Sequence, residues 1–179
     1  MRFINMEIEG CFIIEIEKKT DVRGFFARTW DKEIFKGHNL NGNLSQCSIS
    51  FNNKKGTIRG MHFQSHPYGE TKLVRCTRGS IFDVIIDLRA NSKTFKKWIS
   101  VGLSEENYRT VYIPEGMAHG FQTLENNTEV FYQMTQFYMP KFARGIRWND
   151  PQFGITWPTK SPILSEKDSK YPDFNERDL

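Results

Sequence analysis

Chemistry near neutral pH calls first for histidine, the side chain most easily poised to take up or release a proton there. His62 stands in Gly56-Thr57-Ile58-Arg59-Gly60-Met61-His62-Phe63-Gln64, close after Arg59. The bland alternative is a core histidine with its ring hydrogen-bonded. His62 and His66 are four apart and would face the same way on a regular strand. That invites a metal, but the Pro67 turn, the lack of HxH or HExxH and the absence of nearby sulfur ligands argue against one. His119, in Pro114-Glu115-Gly116-Met117-Ala118-His119-Gly120, enters a strand from a turn and either binds an anion or satisfies a buried carbonyl. Tyr132 and Tyr138 are six apart and share a face if one strand carries both. A phenol there donates a proton or fills the core. Lys72 and the arginines Arg23, Arg28, Arg59 and Arg144 suit phosphate or a solvated face. Asp168, in Leu164-Ser165-Glu166-Lys167-Asp168, has the chemistry to orient a histidine through its second nitrogen.

The elements that must position these residues are strands. Phe12, Ile14 and Ile16 alternate with Ile13, Glu15 and Glu17. In Ser80–Leu88, Phe82, Val84, Ile86 and Leu88 share one face; Ile81, Asp83, Ile85 and Asp87 share the other. Residues 129–138 repeat the pattern with Val130, Tyr132, Met134, Gln136 and Tyr138 on one face. Shorter runs occur in GFFARTW, GTIRGMHFQ, TKLVRC, KKWISVGL and RTVYIP, and turn signals such as Arg78-Gly79 and Asn126-Asn127 punctuate them. One short helix is expected in DKEIFKG, capped by Asp31 and ended by Gly37, and a second helix or a turn near Ser165–Lys170. Many short strands with few helices mean a sandwich, jelly roll or barrel. Polar residues on inward faces would mark its pocket.

The 179 residues suit one domain, read as 1–179 with a loose tail from about Lys170. Fifteen Phe are too many for a disordered chain. No apolar run approaches a membrane span, and MRFINMEIEGCF lacks a signal peptide's apolar stretch, so the expected location is cytoplasmic. Cys11, Cys47 and Cys76 have no CxxC spacing and read as reduced thiols. A net charge of +4 without a long basic block or a common motif gives no sign of nucleic-acid binding.

Taken together, Asp21-Val22-Arg23-Gly24-Phe25-Phe26, GTIRGMHFQ, KLVRCTRGSIFDVIIDLR, YIPEGMAHGFQTLE, EVFYQMTQFY, GIRWNDPQFGITWP and ILSEKD resemble, in order, the nucleotide-sugar epimerases typified by dTDP-4-dehydrorhamnose 3,5-epimerase. The resemblance runs from about residue 6 to 168. It implies a mainly β, cupin-like jelly roll, a homodimer, no metal or organic cofactor, no nucleic-acid or membrane partner, and a nucleoside-diphosphate 4-keto-6-deoxy-sugar as substrate. By the family's mechanism His62 would remove a proton next to the ketone, Asp168 would hold His62, Lys72 would stabilise the enolate oxygen, and Tyr132 would return a proton from the opposite face. Arg23, Arg59, His119, Gln46 and Lys167 match binding positions, and Tyr138 an aromatic that stacks on the base.

Three departures fall in binding positions: Arg28 where dTDP-using members usually carry Glu, a second acidic position near Arg144, and Ser48 in place of Asn. They leave the catalytic set intact and set the nucleotide or sugar apart as the open variable. Within this chemistry the alternative is inversion at C3 alone. From other classes, the alternatives are a metal-dependent cupin enzyme and a non-catalytic sugar-nucleotide binding module; the last has no need of a proton donor and acceptor. Arg59 and His62, three apart, should face opposite ways on a regular strand unless Gly60 permits a bulge or one of them serves a neighbouring subunit.

Overall fold

The alternating segments pair into two antiparallel sheets, seen in a computed structural model that describes residues 1–179. In spatial order the first sheet is β1 (Arg2–Asn5), β2 (Phe12–Glu15), β10 (Thr110–Ile113), β7 (Lys72–Arg78), β12 (Thr128–Met134) and β5 (Gln46–Asn52). The second is β13 (Ala143–Gly145), β6 (Ile58–Gln64), β11 (Met117–Thr123), β8 (Ser80–Asp87) and β9 (Trp98–Ser104). A separate hairpin, β3 (Lys19–Asp21) with β4 (Gly24–Phe26), pairs with neither sheet. The architecture is the mainly β, jelly-roll sandwich expected. No helix is long and apolar enough to cross a membrane.

Between the sheets Val74, Cys76, Val130, Ile81, Ile85 and Phe121 form the main core with their neighbours. Burial leaves the thiols of Cys11 and Cys76 protonated, with pKa values pushed up to about 12. Each sheet also has a covered outer face. Helix α1 (Lys32–Gly37) sets Phe35 against Ile14, Leu73 and Tyr112. Its N-cap is Asp31, whose carboxylate accepts from the backbone N–H groups of Glu33 and Ile34. Gly37 is its last helical residue, one earlier than the His38 cap. On the other side, Ile146, Phe153 and Trp157 cover Met61, Val84, Ile86 and Leu88. This explains β8, whose two faces both point into apolar surroundings.

The segment after Lys170 is docked, against the loose tail expected from its composition. Phe174 packs on Phe95 and Phe153, its N–H donates to Asp150 Oδ2 at 2.6 Å, and Arg147 N–H donates to the Pro172 carbonyl at 2.8 Å. Apolar residues spaced too irregularly for a strand or helix carry this packing, so periodicity misses it. Helix α2 (Glu166–Ser169), capped by Ser165, begins the docked stretch.

Asp87, at the end of β8, is fully buried and gathers the following loop. It accepts from Arg89 Nε and Nη2 at 2.9 Å and from the hydroxyls of Ser92 and Thr94 at 2.6 Å. Burial pushes its carboxyl up, but the hydrogen bonds outweigh burial and bring the pKa down to about 2 from the usual 3.8. A carboxyl that titrates lower when folded stabilises above its unfolded pKa, and the contribution is lost as pH falls through the folded value. Asp87→Asn should lower stability at pH 7 by about 1–2 kcal/mol. Urea titrations should show the gap from wild type closing as pH falls below 3.8 toward about 2.

Candidate active site

Inward positions of the sandwich change character toward one end. On β12 they read Val130, Tyr132, Met134; on β7, Cys76, Val74, Lys72; on β5, Ser48 and Gln46 stand opposite Tyr132 and Met134. His62 and Gln64 face them from β6. Val130, Cys76 and Val74 belong to the core, whereas Tyr132, Met134, Lys72, Ser48, Gln46, His62 and Gln64 line a cavity of about 410 Å³ that Glu70, Tyr138, Arg144, Lys167 and Tyr171 also border. A volume of this size suits a small organic ligand.

β6 achieves this by a bulge. His62 pairs with His119 and Arg59 with Phe121, so three steps on β6 are matched by two on β11. Arg59 and His62 therefore share a face, and the conflict with simple alternation disappears. Gly60 sits at the irregularity with φ +135°, and a Cβ on it would lie 2.5 Å from Gly120 Cα. Only glycine accepts that backbone and that approach together.

His62 Nε2 and Asp168 Oδ1 are 2.9 Å apart. Asp168 Oδ2 accepts from Gly60 N–H at 3.3 Å, and Asp168 N–H donates to the Ser165 cap. Burial raises the Asp168 carboxyl, but the hydrogen bond and charge of His62, with the Gly60 and Ser165 hydrogen bonds, carry it below the usual range. A carboxylate accepting from Nε2–H leaves Nδ1 with its lone pair, the tautomer of a base.

On the opposing sheet, Tyr132 lies within a ring centroid distance of 5.9 Å from His119. Its phenol is raised well above the usual pKa, first by burial and further by Asp83, with Arg59 acting against them. The hydroxyl is thus protonated at neutral pH. Lys72 Nζ is 3.1 Å from Glu70 Oε1 and donates to the His62 carbonyl at 3.3 Å.

Of the binding positions suggested by the sequence, Gln46, Ser48, Tyr138, Arg144 and Lys167 line the cavity. Tyr138 reaches it differently from the expectation, since β12 ends at Met134. The chain then turns, and the Tyr138 N–H donates to Gln46 Oε1 at 2.7 Å. Four residues stand outside the lining. His119 is buried, with Nε2 2.7 Å from Asp83 Oδ2. Arg59 donates to Asn52 Oδ1 at 2.7 Å while remaining near Tyr132. Arg23, at the tip of the free hairpin, pairs with Asp21 at 2.6 Å. Arg28 pairs with Asp31 at 2.5 Å beside a second cavity that Met1, Glu17 and Lys19 also border. Sequence spacing cannot tell a hairpin that projects from one that joins a sheet.

Sequence reasoning missed Asp83, Glu70, Gln64 and Tyr171. Asp83 carried a signal: it stands between Ile81 and Ile85 on the inward face of β8. Burial raises its carboxyl, against the pull of His119 and Lys72. No three His, Cys, Asp or Glu side chains are grouped as a metal would need.

A family model described as dTDP-4-dehydrorhamnose 3,5-epimerase matches residues 5–176. A relative of that name from Methanothermobacter thermautotrophicus is 44% identical over 98% of this chain and 95% of its own. The crystal structure of dTDP-4-dehydrorhamnose 3,5-epimerase from Bacillus anthracis with TDP and PPi bound superimposes with a TM-score of 0.94 at 38% identity, over 97% of this chain and 99% of that one. The Legionella pneumophila dTDP-6-deoxy-D-glucose-3,5-epimerase, in complex with dTDP-4-keto-L-rhamnose, gives 0.90 at 36% identity, over 96% and 92%.

The bulge generates a prediction independent of activity. Gly60→Ala should destabilise the protein by about 1–3 kcal/mol, because the backbone of β11 must move. Chemical denaturation would measure this, with Gly37→Ala, which meets nothing within 4 Å, as the near-neutral control.

Proposed function

The chain belongs to the dTDP-4-dehydrorhamnose 3,5-epimerase family, and from that premise we propose that it inverts C3 and C5 of a nucleoside-diphosphate 4-keto-6-deoxy-hexose, dTDP-4-dehydro-6-deoxyglucose in the first instance. The observation that carries the reading is the placement of His62 and Tyr132 on opposed sheets of one cavity. The ketone at C4 acidifies the protons on C3 and C5. His62 Nδ1 takes one of them, and the C–H electron pair moves into the enolate. Lys72 offers its ammonium to the enolate oxygen. The enolate collapses back to the ketone as Tyr132 delivers a proton to the other face of the carbon. Inversion needs those two groups on opposite sides of the sugar. Arg59 eases the loss of the phenol's proton, and Asp168 holds the His62 tautomer while stabilising its protonated form.

Gln46, Ser48, Tyr138, Arg144 and Lys167 form the wall that receives the nucleotide and sugar. Arg23 and Arg28 complete the site in a cytoplasmic homodimer. The hairpin that carries Arg23 exposes Val22, Phe25 and Phe26, and the edge strand β5 exposes Ile49 and Phe51, apolar surface that a second copy would cover. Phe26→Asp should shift the sedimentation coefficient from dimer toward monomer. An unchanged coefficient places the interface elsewhere.

Incubation with dTDP-4-keto-6-deoxyglucose in heavy water, followed by NMR and mass analysis, tests the chemistry. Label at both C3 and C5 with inverted configuration is expected. Label at C3 alone would make it a 3-epimerase. No label with this sugar nucleotide or its CDP, UDP and GDP counterparts would overturn the reading. His62→Ala should lower exchange by about 10²–10⁴-fold. Tyr132→Phe should leave exchange measurable while suppressing inverted product. Equal behaviour of the two variants would show the roles to be misassigned.

A further inference from the structure

Gly145, the last residue of β13, is the ladder partner of His62. Side chains at such paired positions stand next to each other, so whatever occupies the Gly145 position borders the imidazole. Gly145 supplies nothing, and Tyr171 takes the space. A Cβ on Gly145 would lie 2.3 Å from Cε2 and Cζ of the Tyr171 ring, nearer than side-chain carbons come. An aromatic ring laid over a glycine of an edge strand restores the packing the glycine lacks. The Tyr171 ring also meets His62, with centroids 5.7 Å apart and planes at 68°, an edge-to-face contact.

The ring is held from several directions. Pro172 confines Tyr171 to extended backbone, and the Pro172 carbonyl is fixed by Arg147 N–H at 2.8 Å. Lys167 Nζ lies 5.9 Å from the ring centroid, and its hydrogen bond with Tyr171 raises the lysine's pKa. The segment from Ser165 to Pro172 thus touches His62 twice, with Asp168 at Nε2 and Tyr171 at the ring. One hydrogen bond leaves an imidazole free to pivot about it. A second contact in another direction removes that freedom. The need is real, because the His62 side chain is still 40% exposed.

We propose that Tyr171 is a positioning residue for His62, admitted by the missing side chain of Gly145, and that its ring rather than its hydroxyl does the positioning. The proposal rests on His62 being the base. Exchange of substrate protons in heavy water would be measured at saturating and limiting dTDP-4-keto-6-deoxyglucose. Tyr171→Ala should reduce kcat for exchange about tenfold or more, with KM changed about twofold at most. Tyr171→Phe should restore it. Gly145→Ala should reproduce the loss alone, yet cost nothing further in the Tyr171→Ala background, because both act through one ring. Wild-type kcat in Tyr171→Ala, a Phe variant as impaired as Ala, or multiplicative losses in the double variant would each overturn the proposal. The His62 ring resonances, read by NMR without substrate, separate this from the assigned reaction. They should shift and broaden in Tyr171→Ala but not in Tyr171→Phe. If the wild type exchanges nothing, the reaction assignment fails, and unmoved resonances in Tyr171→Ala sink the positioning itself.

Discussion

The hydrogen bond between His62 and Asp168 joins a sheet strand to a helix more than a hundred residues later. Such a bond forms only if both ends are already fixed. At one end a bulge turns His62 inward without losing the ladder to β11. At the other, α2 is a single capped turn, too short to be stable alone, and it is held because the chain on either side packs against the outer face of the five-stranded sheet. The buried carboxylate is tolerable because it is saturated: His62, Gly60 and Ser165 together overcome the cost of its burial. His62, the bulge and the docked C-terminal segment are one arrangement.

The sandwich also solves a second problem, that of a polar site inside an apolar core. It does so by confining polarity to one end. Lys72 and Val74, or Tyr132 and Val130, are separated by a single pleat, yet one member meets the cavity and the other the core. Where charge sits deeper it is paired. His119 and Asp83 lie directly behind Tyr132. Their contact pairs the buried imidazole with Asp83 Oδ2, leaves Asp83 Oδ1 without a hydrogen-bond partner, and sets the electrostatic environment of the phenol. Tyr132 and His62 thus each have an ionisable partner behind them, on different walls.

Much of this was legible in the sequence because strands announce themselves by a period of two. β8, β6, β7 and β12 emerged in that way, while the Asp31 cap was read from residue type. Legibility stopped where the period stopped. The bulge at Gly60 put Arg59 and His62 on one face, which only a ladder register reveals. Tyr138 reached the cavity by a turn rather than along its strand. Tyr171 lay in a segment of mixed composition with no periodicity, and its importance depends on a glycine 26 residues earlier. Arg23 and Arg28 show the opposite limit: residue type suggested a phosphate, whereas the fold places Arg23 on a hairpin that no strand of this chain accompanies and Arg28 just beyond it, paired with Asp31.

The most direct measurement is a crystal structure of the protein with a dTDP-hexose bound. The central claim is that two opposed walls address the two faces of one sugar ring. The account predicts the hexose between His62 and Tyr132, with the imidazole Nδ1 against one face of the carbon beside C4, the phenol against the other, and Lys72 at the C4 oxygen. A hexose with both groups on the same face, or one seated outside this cavity, would contradict it.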